Sequence, residues 1–270
     1  MTKLPPPPSV RTAFGATGSP VSLAGGQGLS WRIDRVVMKP LDQEVQGLAW
    51  QRDVFASISC EGFRVSRPLR ARDGSFVVDG WCAWEAVEGG HEARRWPEII
   101  AVGERFHAAL RDVPRPDFIA RRSDPWAIAD RVAWGELPVT AFAHVKHVAR
   151  LVAACKPIPD TSQLIHADLT GNVLFDDDEP PAIIDFSPLW RPTGYATAIV
   201  VADALVWEDA NEDLLASVGH IEAFEQHLLR ALIFRAVTDR LFRMHELPRL
   251  DDVDPYLPAA CLALRLAADA

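Results

Sequence analysis

Three oxygen-bearing side chains fall close together in the stretch Leu164 to Phe186, which reads LIHADLTGNVLFDDDEPPAIIDF: Asp168, Asn172 and Asp185. Each stands where an apolar run meets polar turn residues, the pattern of short strands divided by turns. Two carboxylates and one carboxamide at strand ends suit a metal-bound phosphate, because Mg²⁺ prefers oxygen ligands and takes one or two carboxylates beside phosphate oxygens. Asp185 and Asn172 are the candidate metal ligands. Asp168 precedes them, where it could accept the proton of an attacking hydroxyl. His166 reads as a structural residue that holds the loop by hydrogen bonds. An isolated H-x-D or Asp-Phe is common, since Asp is frequent at strand ends and turns. The ordered set, with apolar strands between its members, carries the reading.

His166-x-Asp168, Asn172 and Ile184-Asp185-Phe186 resemble the catalytic and metal-binding segments of the aminoglycoside phosphotransferase family and its protein-kinase-like relatives. The family usually leaves four residues between the Asp and the Asn; only Leu169, Thr170 and Gly171 intervene here. Gly171 can absorb the shorter turn because it tolerates positive φ. Phe186 is followed by Ser187 where kinases carry Gly. The resemblance implies an α+β, two-lobed protein-kinase-like fold, with a small antiparallel-sheet N-lobe and a larger, mainly helical C-lobe. It also implies transfer of a γ-phosphoryl group from ATP or GTP, with Mg²⁺, to a hydroxyl of a small molecule. The acceptor would be a neutral or cationic aminoglycoside, sugar or amino alcohol. The alternative is a kinase-like module that binds a nucleotide or partner with little or no turnover.

The elements upstream must supply the nucleotide end. Val21 to Leu23, Leu29 to Ile33 and Val36 to Lys39 read as three strands, with a glycine turn, Gly25-Gly26-Gln27-Gly28, at the first corner. Glycine lets backbone N–H groups approach phosphate oxygens closely, so Gly26, Gln27 and Gly28 are candidate phosphate contacts. Glycine turns also join strands everywhere, and this one is neither the P-loop nor the kinase G-x-G-x-x-G. Lys39 ends the third strand. It is one of four lysines against twenty-four arginines, and a compact ammonium suits the α- and β-phosphates. Asp42 can cap a helix running to about Ile58. The resemblance implies that a glutamate on this helix, Glu44, pairs with Lys39; a glutamate there would also favour the helix dipole. Two further strands are expected, Phe63 to Arg70 and Ser75 to Val87, joined by an Asp73-Gly74 turn. The resemblance makes the second lead into an interlobe linker, with the main chain of Glu85 and Val87 meeting the adenine edge.

Residues 1–89 are thus expected to form the nucleotide lobe, with 1–12 as a loose proline-rich arm. Residues 90–270 are expected to form the catalytic lobe. In it, apolar stripes predict helices from Pro97, from about Ser123 and from Thr140, then over Tyr195–Trp207, His220–His245 and Pro255–Ala268. Asp203 looks buried, and the resemblance gives it a bracing role beneath the active-site loops. His144 and His147 read as a solvated helix face.

Composition bounds the rest. A chain of 270 residues, about half of them apolar, suits one large domain or two lobes. The net charge of −9 disfavours a nucleic-acid partner. No run reaches the ~18 apolar residues of a membrane span, and no signal pattern opens the chain, so a cytoplasmic protein without a membrane partner is expected. The four cysteines are scattered with no C-x-x-C, which argues against a zinc site or a disulfide framework.

Overall fold

The computed structural model describes residues 4–23, 28–42, 44–142, 145, 147–243 and 254–270. The chain divides into two compact units: residues 1–91 with 171–185, and residues 92–170 with 186–270. A single break near residue 89 is expected from sequence; the two units are each made of two separate segments. The segment 171–185, which carries Asn172 and Asp185, nevertheless belongs to the first unit.

The first unit is built on an antiparallel sheet of β1 (Val21–Ser22), β2 (Trp31–Ile33), β3 (Val36–Pro40) and β5 (Trp81–Glu85), in that order. Asp34-Arg35 turns β2 into β3 as a two-residue hairpin, with Ile33 opposite Val36 and Asp34 at φ +53°. Period-2 alternation then sorts β3 onto two faces. Met38, opposite Ala83, joins a core with Ile33, Val36, Val10 and Phe14. Lys39, opposite Cys82, lies on the face where Cys82 and Trp84 pack with Leu48 of α2 (Val45–Ser57).

The proline-rich arm, expected to be loose, carries regular structure within its described residues. Residues Pro8–Ala13 form a short helix, α1, because a proline at its start needs no N–H partner. Val10, fully buried, and Phe14 then lie four residues apart on one face and enter the sheet core. The expected strand over Phe63–Arg70 shortens to β4 (Arg64–Val65), which leaves the main sheet to pair in parallel with β8 (Ala182–Ile183). The second long strand is interrupted as well: Val78 and Trp81 close a tight turn through Asp79-Gly80, both at positive φ, so only Trp81–Glu85 remains extended. β7 (Val173–Leu174) completes the small second sheet against β8. Gly90 and Phe175 exchange two backbone hydrogen bonds of 2.8 and 2.9 Å. The neighbouring Gly89 stands at φ +124°, where a Cβ would meet the Phe175 carbonyl at 2.8 Å, so both the backbone angle and the close approach require glycine.

The second unit is helical: α3 (Trp96–Ala109), α4 (Asp117–Arg121), α5 (Pro125–Ala133), α6 (Val148–Ala154), α7 (Thr193–Trp207), α8 (Phe224–Phe242) and α9 (Leu257–Asp269). One two-stranded sheet, β6 (Gln163–His166) against β9 (Pro188–Arg191), crosses it. Asp124 caps α5 by accepting from the Ala127 N–H at 3.1 Å. The helix expected from Thr140 breaks into a 3₁₀ turn (Val139–Phe142) and α6; His144 lies outside the described residues. His147 is buried rather than solvated, with Nδ1 2.7 Å from Asp254 and its ring stacked on Tyr256. Among the described residues no helix is long and apolar enough to cross a membrane.

Candidate functional site

In the first unit the β7–β8 ladder sets the metal-ligand candidates. Val173 stands opposite Ile183, and the Ile184 N–H donates to the Asn172 carbonyl at 3.0 Å. Asn172 and Asp185 therefore flank the same end of one ladder. Asp185 has φ +46°, a left-handed conformation that Asp tolerates better than most residues and that turns the chain sharply after β8. Its Oδ1 accepts from Lys39 Nζ at 2.9 Å, and Asp42 Oδ2 accepts from the same ammonium at 2.8 Å. Lys39 also lies 5.1 Å from the centre of the Trp84 ring. Burial alone would lower its pKa, but Asp185 and Asp42 outweigh that and push it up to about 12. Lys39 is thus a fixed cation at the end of β3.

The partner on the helix side is Asp42, not Glu44. α2 starts at Val45, so Glu44 is its exposed N-cap and makes no side-chain capping bond. Asp42, three residues beyond Lys39, reaches the ammonium directly. Asn172 and Asp185 supply only oxygen, which suits a hard divalent ion completing its shell from phosphate and water. No group of three or more His, Cys, Asp or Glu that could hold a metal occurs among the described residues.

Of the phosphate-turn candidates, Gly26 and Gln27 lie outside the described residues; Gly28 stands at φ +61°. At the linker, the Glu85 N–H donates to the Arg67 carbonyl at 2.9 Å, and its C=O accepts from Ser66 Oγ at 2.7 Å. Glu85 therefore retains only an acceptor lone pair. Val87, two residues on, has no main-chain bond among the described residues.

In the second unit Asp168 follows β6. Its N–H donates to His166 Nδ1 at 3.1 Å, and the Ala167 N–H donates to the Ser187 carbonyl at 3.0 Å. His166 is fully buried, and its own N–H donates to His107 Nε2 at 3.0 Å. That bond fixes the His107 proton on Nδ1, and burial, with His166 adding, pushes His107 down to about 3. A histidine held neutral in the fold binds its proton more readily once unfolded. Stability is therefore complete above the unfolded value near 6.5 and falls as pH drops from there toward 3. The slope is about 1.4 kcal/mol per pH unit. Denaturant titrations at pH 7 and pH 5 should differ by about 2 kcal/mol from this group, and the difference should shrink in His107→Asn.

The Asp168 carboxylate is engaged by a residue that sequence inspection did not single out. Arg235, on α8, donates from Nη2 to Asp168 Oδ1 at 2.7 Å and from Nε to Asp203 Oδ1, also at 2.7 Å. Desolvation opposes the guanidinium charge, but the Asp203 and Asp168 carboxylates outweigh it and raise the Arg235 pKa. In sequence, Arg235 is one of the chain's twenty-four arginines and lies on an expected helix. The only available signal was its spacing on a largely apolar helical face. Arg235, Asp203 and Thr170 line a cavity of about 400 Å³ whose other walls include Trp126, Trp207, Phe242, Tyr256 and Asp239. Elsewhere in this unit Asp209 pairs with Arg94, Glu212 with Arg265 and Asp254 with His147.

Residues 21–189, more than half of the chain, match the model of the APH phosphotransferase enzyme family. The chain belongs to this family. That makes it a phosphotransferase, and the matched span contains Lys39, Asp168, Asn172 and Asp185 together. Solved structures of phosphotransferase-family folds resemble it over nearly its whole length. A microcompartment-associated aminopropanol kinase gives a TM-score of 0.64 at 18% identity, over 96% of this chain and 93% of that one. A choline kinase from Streptococcus pneumoniae gives 0.63 at 10% identity, over 97% of each chain. A spectinomycin phosphotransferase, solved with ADP and spectinomycin, gives 0.59 at 14% identity, over 96% and 95%. At these identities the likeness establishes the kinase-like α+β fold. A comparison with curated protein sequences finds no match.

Proposed function

We propose that this phosphotransferase moves the γ-phosphoryl group of ATP or GTP to a hydroxyl of a small amine-bearing alcohol. The observation that carries the reading is the Lys39–Asp185 pair at 2.9 Å, which joins the β3 cation to the strand-end carboxylate across 146 residues of sequence. In the first unit Lys39 neutralises phosphate oxygens, and Asn172 and Asp185 would hold the metal. Bound there, Mg²⁺ would offset the charge on the β- and γ-phosphates. Val87 and the remaining Glu85 lone pair take the purine edge, and Gly26, Gln27 and Gly28 approach the phosphates through the backbone. In the second unit Asp168 orients the acceptor hydroxyl and accepts its proton as the new O–P bond forms. His166 holds the Asp168 backbone N–H, and Arg235 holds the carboxylate. Transfer of this kind depends on positioning and electrostatics more than on covalent chemistry.

The 400 Å³ cavity beside Arg235 supports an amine on the acceptor. Trp126 and Phe242 meet edge to face at 4.7 Å, as do Trp207 and Tyr256 at 5.5 Å. Aromatic walls favour a cation, and Asp239 among them already holds one, the Arg243 guanidinium at 2.9 Å. One feature favours the alternative of binding without turnover: Arg235 already engages the Asp168 carboxylate.

A single assay separates the two. The protein is incubated with ATP·Mg or GTP·Mg and a panel of amino alcohols, sugars and aminoglycosides, and release of the nucleoside diphosphate is followed. Acceptor-dependent release is expected, with amines ahead of neutral sugars, and Lys39→Met should lower it at least about tenfold. Nucleotide binding with no acceptor raising the turnover would establish the binding module instead.

A further inference from the structure

Only part of the Arg235 guanidinium is engaged. Nε and Nη2 donate to the two oxygens of Asp203, and Nη2 also donates to Asp168 Oδ1 at 2.7 Å. Nη1 makes no hydrogen bond among the described residues, and it is not sealed from solvent. The side chain is 13% exposed and forms part of the wall of the 400 Å³ cavity.

The flat, rigid fork of the guanidinium decides where Nη1 lies. The edge made by Nε and Nη2 is taken by Asp203, which is buried on α7. That bidentate grip stops the group from turning. The other edge, made by Nη2 and Nη1, carries Asp168 on its Nη2 half and is open on its Nη1 half. The two nitrogens share one carbon, so a ligand atom on Nη1 sits directly beside the Asp168 carboxylate.

Charge and donor chemistry select that ligand atom. Asp168 and Asp203 are two carboxylates on one cation, so a further anion at Nη1 would meet net repulsion at short range. Arginine only donates, so an amine gains nothing there and is left to the aromatic walls. A neutral oxygen, such as a hydroxyl, ether or carbonyl, accepts from Nη1 without either cost. We infer that Arg235 is a specificity-determining residue, whose Nη1 donates to a neutral oxygen on the carbon next to the one bearing the reacting hydroxyl. The inference rests on the phosphotransferase reading with Asp168 as the base. An acceptor with oxygens on neighbouring carbons is held in one register, one oxygen on Asp168 and the other on Arg235. A simple amino alcohol has only the first of these contacts.

Isoserinol and propanolamine test this, because they share the amine and the terminal hydroxyl and differ only in the central hydroxyl. Isoserinol should have the higher kcat/KM by at least about tenfold, the usual worth of a hydrogen bond to a charged donor, with most of the gain in KM. Arg235→Lys keeps a cation between Asp168 and Asp203 but loses the fork; the advantage of isoserinol should fall to within about twofold. Phe242→Leu, on the cavity wall, should weaken both acceptors alike and leave their ratio unchanged, as a merely structural role for Arg235 would also do. Equal kcat/KM for the two acceptors in the parent, or an isoserinol advantage that survives Arg235→Lys, overturns the inference and leaves the phosphotransferase reading standing. If neither acceptor is phosphorylated, calorimetric Kd values for the same pair decide. Tighter isoserinol binding that is lost in Arg235→Lys upholds the contact, and equal or absent binding ends it.

Discussion

Asp168→Asn is expected to lower phosphoryl transfer by about 10²–10⁴-fold, the usual contribution of a positioned general base, while nucleotide affinity is retained. The substitution keeps shape and one oxygen, so the bonds from the loop backbone to His166 persist. It removes the charge that accepts the hydroxyl proton. Lys39, Asp42, Asn172 and Asp185 lie in the other compact unit and keep their contacts. Steady-state rates with the best acceptor, beside nucleotide Kd values from calorimetry, decide the matter. A variant with full kcat would remove Asp168 from the base role; one that loses nucleotide binding in parallel would mark it as structural.

Arg235→Met should cost about 3–5 kcal/mol of stability, the typical penalty for stripping one partner from a buried ion pair. Asp203 is 5% exposed, and without the guanidinium its charge would be stranded beneath α7 and α8. The size of the loss follows from that burial; a surface pair would be worth at most about 1 kcal/mol. Urea titrations of the parent, Arg235→Met and Arg235→Met with Asp203→Asn form the informative set. The added Asp203→Asn should recover part of the loss, because it discharges the orphaned carboxylate. An unchanged midpoint in the single variant would show that the network does not support the fold.

The sequence was most informative where chemistry and local backbone coincide. Asp185 and Asn172 were legible because each ends or begins an apolar run, and the β7–β8 ladder places both at one end. Lys39 was legible through its rarity and its place at a strand end. The helix after it was visible, but its start was not. Only one residue separates Asp42 from Glu44, and which carboxylate meets the ammonium depends on where the first helical turn closes. Arg235 was hidden because its partners lie 67 and 32 residues away and nothing local distinguishes one helical arginine from another. α1 was hidden by its prolines, whose usual reading as an extended arm overrode the weak apolar spacing of Val10 and Phe14. The parallel pairing of β4 is a long-range contact between two-residue strands, too short for any periodicity to announce.

That pairing also bears on synthesis. Arg64 and Val65 find their strand partners only at Ala182 and Ile183, and at the ~5–20 residues per second of a ribosome the wait is on the order of 6–24 s. Through that interval the emerging sheet domain has a bare edge, and the whole helical segment up to Thr170 is made before it can close. An N-terminal fragment ending at residue 91 should therefore behave as a half-finished, aggregation-prone body, whereas the same fragment supplied with a peptide spanning 171–185 has the means to complete itself.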